Sequence, residues 1–176
     1  MDNFLVITAL GKNRSGNLDQ LVRSIRDSGC NINESRLSVL GSESAIFMQL
    51  SGPWDAIAKI EDTLPKLGKR LDIKITSNRT NQDNARDNLM PYAIDVVAID
   101  HIGIVYDIVN FIHENKISIQ DMSTNTYGTG NSATTMFSMH MVINIPANTS
   151  ISSIRGDFMD FCDQLNLDGV LEPVKL

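Results

Sequence analysis

An internal repeat divides the 176-residue chain into two similar halves, and it limits the range of folds more than any other feature. The segment Phe4–Ile32 aligns with Pro91–Ile119 at an offset of 87 residues, which places Gly16 on Gly103. Further along the chain the offset becomes 91, so the second copy holds four extra residues near 128–134. Because apolar positions agree through more than one kind of secondary structure, each half is predicted to fold into the same unit.

The first copy begins with a strand, a turn and an amphipathic helix. Leu5, Ile7 and Ala9 occupy alternate positions, as in a strand, and a glycine-containing turn follows at Gly11–Gly16. Gly29 is the expected C-cap of the helix. The apolar face of this helix has the spacing i, i+3, i+4, i+7 and consists of Leu18, Leu21, Val22 and Ile25.

The rest of the first copy predicts a hairpin, a second helix and a final strand. Arg36–Leu40 and Ala45–Leu50 flank a Gly-Ser turn, which is typical of a β-hairpin. The second helix is expected to start at Pro53 and to kink or end at Pro65, because proline lacks the donor for a helical hydrogen bond. A last strand is expected near 71–75. The predicted inner face of the second helix consists of Trp54, Ile57, Ile60 and Leu64.

The second copy predicts the same order of elements. Alternate apolar residues in Phe137–Ile145 predict a long strand, an amphipathic helix follows, and 170–174 is expected to form the last strand. Each copy therefore contains strand, helix, strand, strand, helix and strand, which is the order of the ferredoxin-like plan. The expected fold class is α+β, with two ferredoxin-like βαββαβ domains in tandem.

A polar segment separates the two copies. Residues 77–88 include no apolar residue larger than alanine, which is typical of a linker. The predicted domains are 1–76 and 91–176, and the predicted polar linker is 77–90.

Charge and hydrophobicity argue against several classes of protein. Lys and Arg number 15 against 21 Asp and Glu, and the net charge of −6 argues against a DNA-binding surface, which needs clustered basic residues. With 42% hydrophobic residues the chain has enough apolar material for a core, but no apolar stretch approaches the roughly 20 residues that cross a bilayer. Cys30 and Cys162 lie far apart without a CxxC pattern, which indicates a reduced, cytoplasmic protein.

No group of residues predicts catalysis or metal binding. The pattern GxGxxA at 128–133 precedes a segment with strand periodicity, so it predicts a hairpin turn and not a dinucleotide site. The three histidines are too far apart in the sequence for a zinc motif, and His113 is expected on a solvated helix face. We therefore expect no enzyme activity, no metal and no cofactor.

The first turn of each copy remains as a candidate functional site. Gly11–Leu18 and Ile99–Val105 both lead from a strand into a helix, where the first backbone N–H groups have no helical acceptor. These donors and the positive end of the helix dipole suit a carboxylate. The same glycines also suit a tight turn that packs helix against strand, so the pattern alone leaves both interpretations open.

These turns carry a resemblance to a known family. Asn13–Gly16 reads NRSG, Cys30–Ile32 reads CNI, and Asp100–Gly103 of the second copy reads DHIG. A strand, a [DN]RPG turn, a helix and an NI-type strand start are together similar to the ACT domain, a small-molecule regulatory module. Nearly the whole chain resembles one family of tandem ACT proteins, the bacterial glycine cleavage system transcriptional repressors. The most specific segments are Val39–Leu67, Met136–Ala147 and Phe158–Lys175.

The resemblance implies a regulator that binds a small amino acid, glycine in this family, and represses transcription by contacting a LysR-type activator instead of DNA. ACT domains commonly pair, which implies a homodimer. The residues to which the resemblance assigns ligand binding are Asn13, Arg14, Ser15, Gly16, Asn17, Leu18, Asn31 and Ile32 in the first copy and Asp100, His101, Gly103 and Ile104 in the second.

The two turns depart from the family motif in different ways. The motif proline is replaced by Ser15 in the first copy and by Ile102 in the second. Because the first turn is small and polar while the second is bulkier and contains Asp100, we expect ligand binding at the first. Gly16→Val is then expected to abolish binding without loss of the fold, and Gly103→Val to affect mainly stability. Two alternatives stay open: a ligand-independent ACT interaction module, and a regulatory fragment related to formyltetrahydrofolate deformylase.

Overall fold

The computed structural model describes residues 3–81, 88–130 and 133–174, and the chain separates into two compact units, Met1–Asp83 and Asn84–Leu176. The first unit contains β1 (Asn3–Lys12), α1 (Asn17–Ser28), β2 (Asn31–Leu40), β3 (Glu43–Gly52), α2 (Trp54–Leu71) and β4 (Ile73–Thr80). The second unit contains β5 (Leu89–Ile99), α3 (Ile104–Glu114), β6 (Ser118–Gly128), β7 (Thr135–Pro146), α4 (Ile151–Leu165) and β8 (Asp168–Pro173).

Each unit has one four-stranded antiparallel sheet, in the order β2-β3-β1-β4 or β6-β7-β5-β8. This is the βαββαβ ferredoxin-like arrangement, and the predicted fold class is confirmed. The repeat extends to local irregularities, since the register of β2 on β3 shifts between Ile32 and Glu34 and that of β6 on β7 between Ile119 and Asp121. A β-bulge therefore lies at the same place in both sheets.

The core of each unit lies between its helices and one face of its sheet. In the first unit Leu5, Ile7 and Leu50 of the central strands are fully buried together with Leu21 and Ile25 of α1. Each such side chain contributes about 1.5–3 kcal/mol to stability by leaving water. The second unit has its own core of the same design.

Three residues that were predicted on inner helix faces are exposed instead. Trp54 is the first residue of α2 and is 64% exposed. Leu18 and Val22 also reach the surface. They lie at the margin of the apolar face of α1, and α1 packs against the edge strand β2, where the side chains are mostly exposed themselves.

Of the two outcomes expected at Pro65, a kink or an end of the second helix, the end does not occur, because α2 continues to Leu71. Proline removes one helical donor and disturbs the turn before it. Pro65 itself is exposed, while Leu64 and Leu67 on either side of it are buried against the sheet. The packing of these two leucines offsets the lost hydrogen bond, and β4 consequently starts at Ile73 and runs beyond the predicted strand.

The predicted linker overlaps two strands. β4 continues to Thr80 and β5 begins at Leu89, while the middle of the predicted linker, 82–87, lies outside the described residues. β4 is at the edge of its sheet, so most of its side chains face solvent and can be polar. The polar composition of 77–80 therefore reflects exposure of a strand and not the absence of secondary structure.

Candidate functional site

The two strand-to-helix turns have the same backbone geometry. Gly16 has φ 94° and ψ −15°, and Gly103 has φ 100° and ψ −12°, in a region that strongly favours glycine. A Cβ added to Gly16 would meet no atom within 4 Å, and one added to Gly103 would meet only the Oδ2 of Asp107 at 4.0 Å. Glycine is therefore needed at both positions because of the backbone angles, and not because a side chain would clash with a neighbour. Valine would strain the backbone at both positions alike, so the geometry gives no reason for Gly103→Val to affect stability more than Gly16→Val.

Backbone hydrogen bonds fix both turns in the same way. The Asn17 N–H donates to the Arg14 carbonyl at 3.3 Å, and the Asn13 N–H donates to the Ser42 carbonyl in the β2–β3 hairpin at 2.9 Å. The equivalent amides of the second turn donate at 3.4 Å and 2.9 Å. Because backbone hydrogen bonds fix the conformation of each turn, the exposed side chains of the two turns can differ without destabilising the fold.

The first turn presents polar side chains beside the start of α1. The Nη2 of Arg14 lies 3.5 Å from the Oδ2 of Asp72, at the C-terminal end of α2. Asn17 is buried and its Nδ2 donates to the Lys12 carbonyl at 3.4 Å. Asn13 and the other turn side chains are exposed. This end of the unit therefore combines a guanidinium, small polar side chains and the free amides of the first helical turn.

The second turn has different side chains on the same backbone. Asp100 and His101 are exposed, and the Nδ1 of His101 lies 3.2 Å from the Ile102 carbonyl oxygen. The Ile102 side chain is fully exposed and does not fill the turn. Ile104, which corresponds to Asn17, is buried in the core. The second turn therefore offers a carboxylate and apolar surface where the first offers a cation.

Asn31 and Ile32 do not lie beside the first turn. They begin β2, whereas the turn is tied to the far end of the hairpin through Asn13 and Ser42. The strand Asn31–Leu40 spans about 30 Å at roughly 3.3 Å per residue. Within the first unit the structure thus brings together 13–18 and leaves the two residues at the start of β2 apart from them.

Asp72 is a residue of this site that the sequence did not indicate. It becomes a neighbour of the first turn because β1 and β4 are antiparallel, with Gly11 opposite Ile73. Its backbone adopts the left-handed conformation at φ 57°, where it caps α2 with an N–H bond to the Gly68 carbonyl. A register between two strands that lie about 60 residues apart leaves no local signal, so the ion pair with Arg14 was not predictable.

Other features that the sequence singled out take no part in such a site. Gly128 ends β6 and Thr135 begins β7, so a strand follows the GxGxxA pattern as expected; 131 and 132 lie outside the described residues. Over 3–81, 88–130 and 133–174, no three His, Cys, Asp or Glu side chains come together as metal ligands. Among the described helices, none has the length and apolar character needed to cross a membrane.

Comparison with known proteins identifies relatives over the full length of the chain. A family model for the ACT domain matches residues 3–77. The chain is 30% identical over 172 residues to the glycine cleavage system transcriptional repressor of Escherichia coli (strain K12), a match that covers 98% of this chain and 90% of that protein. The protein of the same name from Shigella flexneri gives the same values.

Solved structures with the same architecture also cover the whole chain. A crystal structure assigned to a glycine cleavage system transcriptional repressor superposes with a TM-score of 0.73 at 26% identity, over 100% of this chain and 99% of that one. The crystal structure of an unknown protein from Galdieria sulphuraria reaches 0.81 at 18% identity, over 99% of this chain and 100% of that one, and supports the fold alone.

Proposed function

Because the chain belongs to the family of glycine cleavage system transcriptional repressors, we propose that it senses glycine and represses transcription by contacting another protein. Its place in this family rests on 30% identity over 98% of the chain and makes it a regulatory ACT protein. The partner that we propose is a LysR-type activator, and the location that we propose is the cytoplasm, where bacterial genes are transcribed. The observation that carries the sensing role is the polar first turn at the start of α1.

The first turn suits the carboxylate of an amino acid for three reasons. Gly16 leaves the space beside the turn open, since an added Cβ would meet nothing within 4 Å. The amides of Leu18 and Asp19 lie in the first turn of α1, where a helix offers no acceptors, and the helix dipole adds positive potential at that end. Arg14 supplies a guanidinium that is about half exposed. The ligand site that we propose therefore consists of residues 13–18.

The second turn is poorly suited to the same ligand. Asp100 places a carboxylate at the turn, where it repels another carboxylate, and the position of Arg14 is taken by His101. We therefore propose that glycine binds in the first domain. A charge-assisted hydrogen bond contributes about 1.5–3 kcal/mol to binding. Two or three such bonds, reduced by the entropy that the ligand loses on binding, correspond to a micromolar to millimolar Kd.

Calorimetric titration of glycine, serine and alanine into the wild-type chain tests this site. Arg14→Gln removes the cation of the first turn and should weaken glycine binding at least about tenfold, the loss of one charge-assisted bond. His101→Gln is the matched control in the second turn and should leave binding unchanged. No heat at millimolar glycine, or equal loss in the control, would refute the site.

A ligand-independent interaction module is the second candidate function, and one contact favours it. The ion pair of Arg14 with Asp72 at 3.5 Å already occupies the guanidinium, so a ligand would have to compete for it. Asp72→Asn separates the two candidates, because it releases Arg14. Tighter glycine binding by this variant supports a sensor, and absence of binding by both proteins supports the module.

The proposed contact with an activator, instead of DNA, follows from charge and is tested directly. The net charge of −6 disfavours association with phosphate backbones. In a gel-shift assay at physiological salt, the chain alone should leave promoter DNA unshifted and should alter the complex of the activator with that DNA. A specific shift by the chain alone would contradict the proposal.

We also propose that the protein is a homodimer. On the face of the first sheet opposite its helices, Phe47 and Leu10 are each about half exposed, and a second copy would cover them. Multi-angle light scattering at tens of micromolar should then give twice the mass of 19.5 kDa. A monomer at that concentration would refute this part of the proposal.

A further inference from the structure

The second turn exposes large apolar side chains at the positions where the first turn is polar. Ile102 is 104% exposed, Tyr106 71% and Ile99 63%. The equivalent positions of the first turn, at the repeat offset of 87, are Ser15, Asp19 and Lys12, which are also exposed. We call Ile99, Ile102 and Tyr106 the apolar triplet.

The fold does not require the apolar triplet. Both turns share the glycine conformation and the same backbone hydrogen bonds, and the first turn forms them with polar side chains. None of the three side chains is buried in a core. An exposed apolar group on a soluble protein gains nothing from folding, and several together mark a surface that another molecule covers.

The same contrast continues across the neighbouring strands. Ile99 pairs with Met136 of β7, which in turn pairs with Tyr127 of β6, and Tyr127 is 43% exposed. In the first unit the corresponding row is Lys12, Glu43 and Leu40. An entirely apolar row in the second unit thus corresponds to a row in the first that holds two charged residues and the exposed Leu40, on the strand ends beside the turn.

The charges near this surface indicate what covers it. Neither 99–107 nor 127–136 contains Lys or Arg, and the turn and first helical turn hold Asp100 and Asp107. An apolar surface with an acidic border fits a protein that has an apolar pocket bordered by Lys and Arg. The activator that we propose as the partner would supply this border from Lys and Arg residues outside the surface that contacts its DNA.

We infer that the apolar triplet is the surface with which this protein docks onto its activator, through an apolar pocket bordered by basic residues on that partner. This inference rests on the proposed function, since it assigns a place to the proposed protein contact. The duplicated fold then separates two tasks: the first turn binds the amino acid, and the second turn binds the protein. Isoleucine and tyrosine are suited to the second task, because buried apolar anchors carry much of the energy of protein interfaces.

Biolayer interferometry with the purified LysR-type activator on its operator DNA tests the inference. The double variant Ile102→Ser and Tyr106→Ser removes two apolar side chains of the triplet without adding a charge, at exposed positions where the fold tolerates the change. It should bind the activator at least about tenfold more weakly than wild type, the loss expected for one interface anchor. The matched control, Leu40→Ser with Trp54→Asp, replaces two large apolar side chains of the first domain that are 73% and 64% exposed and lie outside both turns. It should bind as wild type does.

The outcomes separate the possible failures. Wild-type affinity in the double variant, with an intact circular dichroism spectrum, would overturn the inference and leave the proposed function standing. Absence of binding by wild type would overturn the proposed protein contact and the inference with it. Light scattering of the chain alone tests whether a second copy of the protein covers this surface instead. If wild type is a dimer and the double variant is a monomer, the surface is a dimer interface, and docking onto the activator is overturned.

Discussion

Replacing either turn glycine with alanine should destabilise the protein by about 1 kcal/mol, and by the same amount at both positions. Gly16 and Gly103 differ by only a few degrees in φ and ψ, and an added Cβ meets nothing closer than 4 Å, so only the backbone contributes. A left-handed conformation costs an ordinary residue roughly 1–2 kcal/mol. The reduced freedom of alanine in the unfolded chain offsets about 0.4–1 kcal/mol of this.

Urea unfolding measures both losses. Trp54, the single tryptophan of the chain, reports on the first domain by fluorescence, and far-UV circular dichroism reports on both. The midpoint should fall while the slope with urea stays constant, since the surface exposed on unfolding is unchanged. Gly16→Asn and Gly103→Asn are the matched controls and should lose less, because asparagine enters the left-handed region more readily.

Two results would refute the reasoning about these turns. An asparagine variant as unstable as the alanine variant would mean that the glycine is needed for space and not for its backbone angle. A loss of several kcal/mol at one position only would mean that the two turns are not equivalent. Either result would also remove the argument that the exposed side chains of the turns are free to differ.

Three further predictions concern other parts of the molecule. Pro65→Ala should raise the free energy of unfolding by about 1–2 kcal/mol, because it restores a helical donor within α2; unchanged urea unfolding would contradict this. Hydrogen bonds from Arg79 at 3.0 and 2.7 Å lower the pKa of Glu61. Their stabilisation is therefore present above the ordinary carboxyl pKa and lost as pH falls through the lower folded-state value, so Glu61→Gln should flatten the acid side of a Tm–pH profile, and an identical profile would refute it. Burial raises the pKa of the Cys162 thiol to about 11, so native protein at pH 8 should leave Cys162 unlabelled by iodoacetamide in peptide mass spectrometry; rapid labelling would contradict this.

The sequence was sufficient for the parts of the fold that depend on burial. Central strands must carry apolar residues at a period of two, and inner helix faces at a period of 3.6. The repeat shows each of these patterns twice in the chain. Positions where burial does not determine the secondary structure were mispredicted. The polar end of β4 resembled a linker because an edge strand needs no apolar side chains, and Pro65 resembled a helix end because tertiary packing outweighs propensity.

The candidate site, too, was predictable from the sequence only in part. The turns could be found from sequence, since a glycine between a strand and an amphipathic helix is a local signal. The neighbour Asp72 could not, because its approach to Arg14 depends on the register between β1 and β4. Exposure of Ile102 was also beyond prediction, since hydropathy alone suggests that an isoleucine is covered.

The polar end of β4 has a consequence for how the protein avoids misassembly. An edge strand offers unpaired backbone groups to any other extended chain, and long apolar edges are templates for aggregates. From Ser77 to Thr80 this edge carries only polar or charged side chains, and Arg79 is held in place by its two bonds to Glu61. An incoming strand would have to strip water from this row of polar groups, which makes the edge a poor seed for aggregation. Apolar replacements there should appear first as a loss of soluble yield during expression, before any loss of regulatory activity.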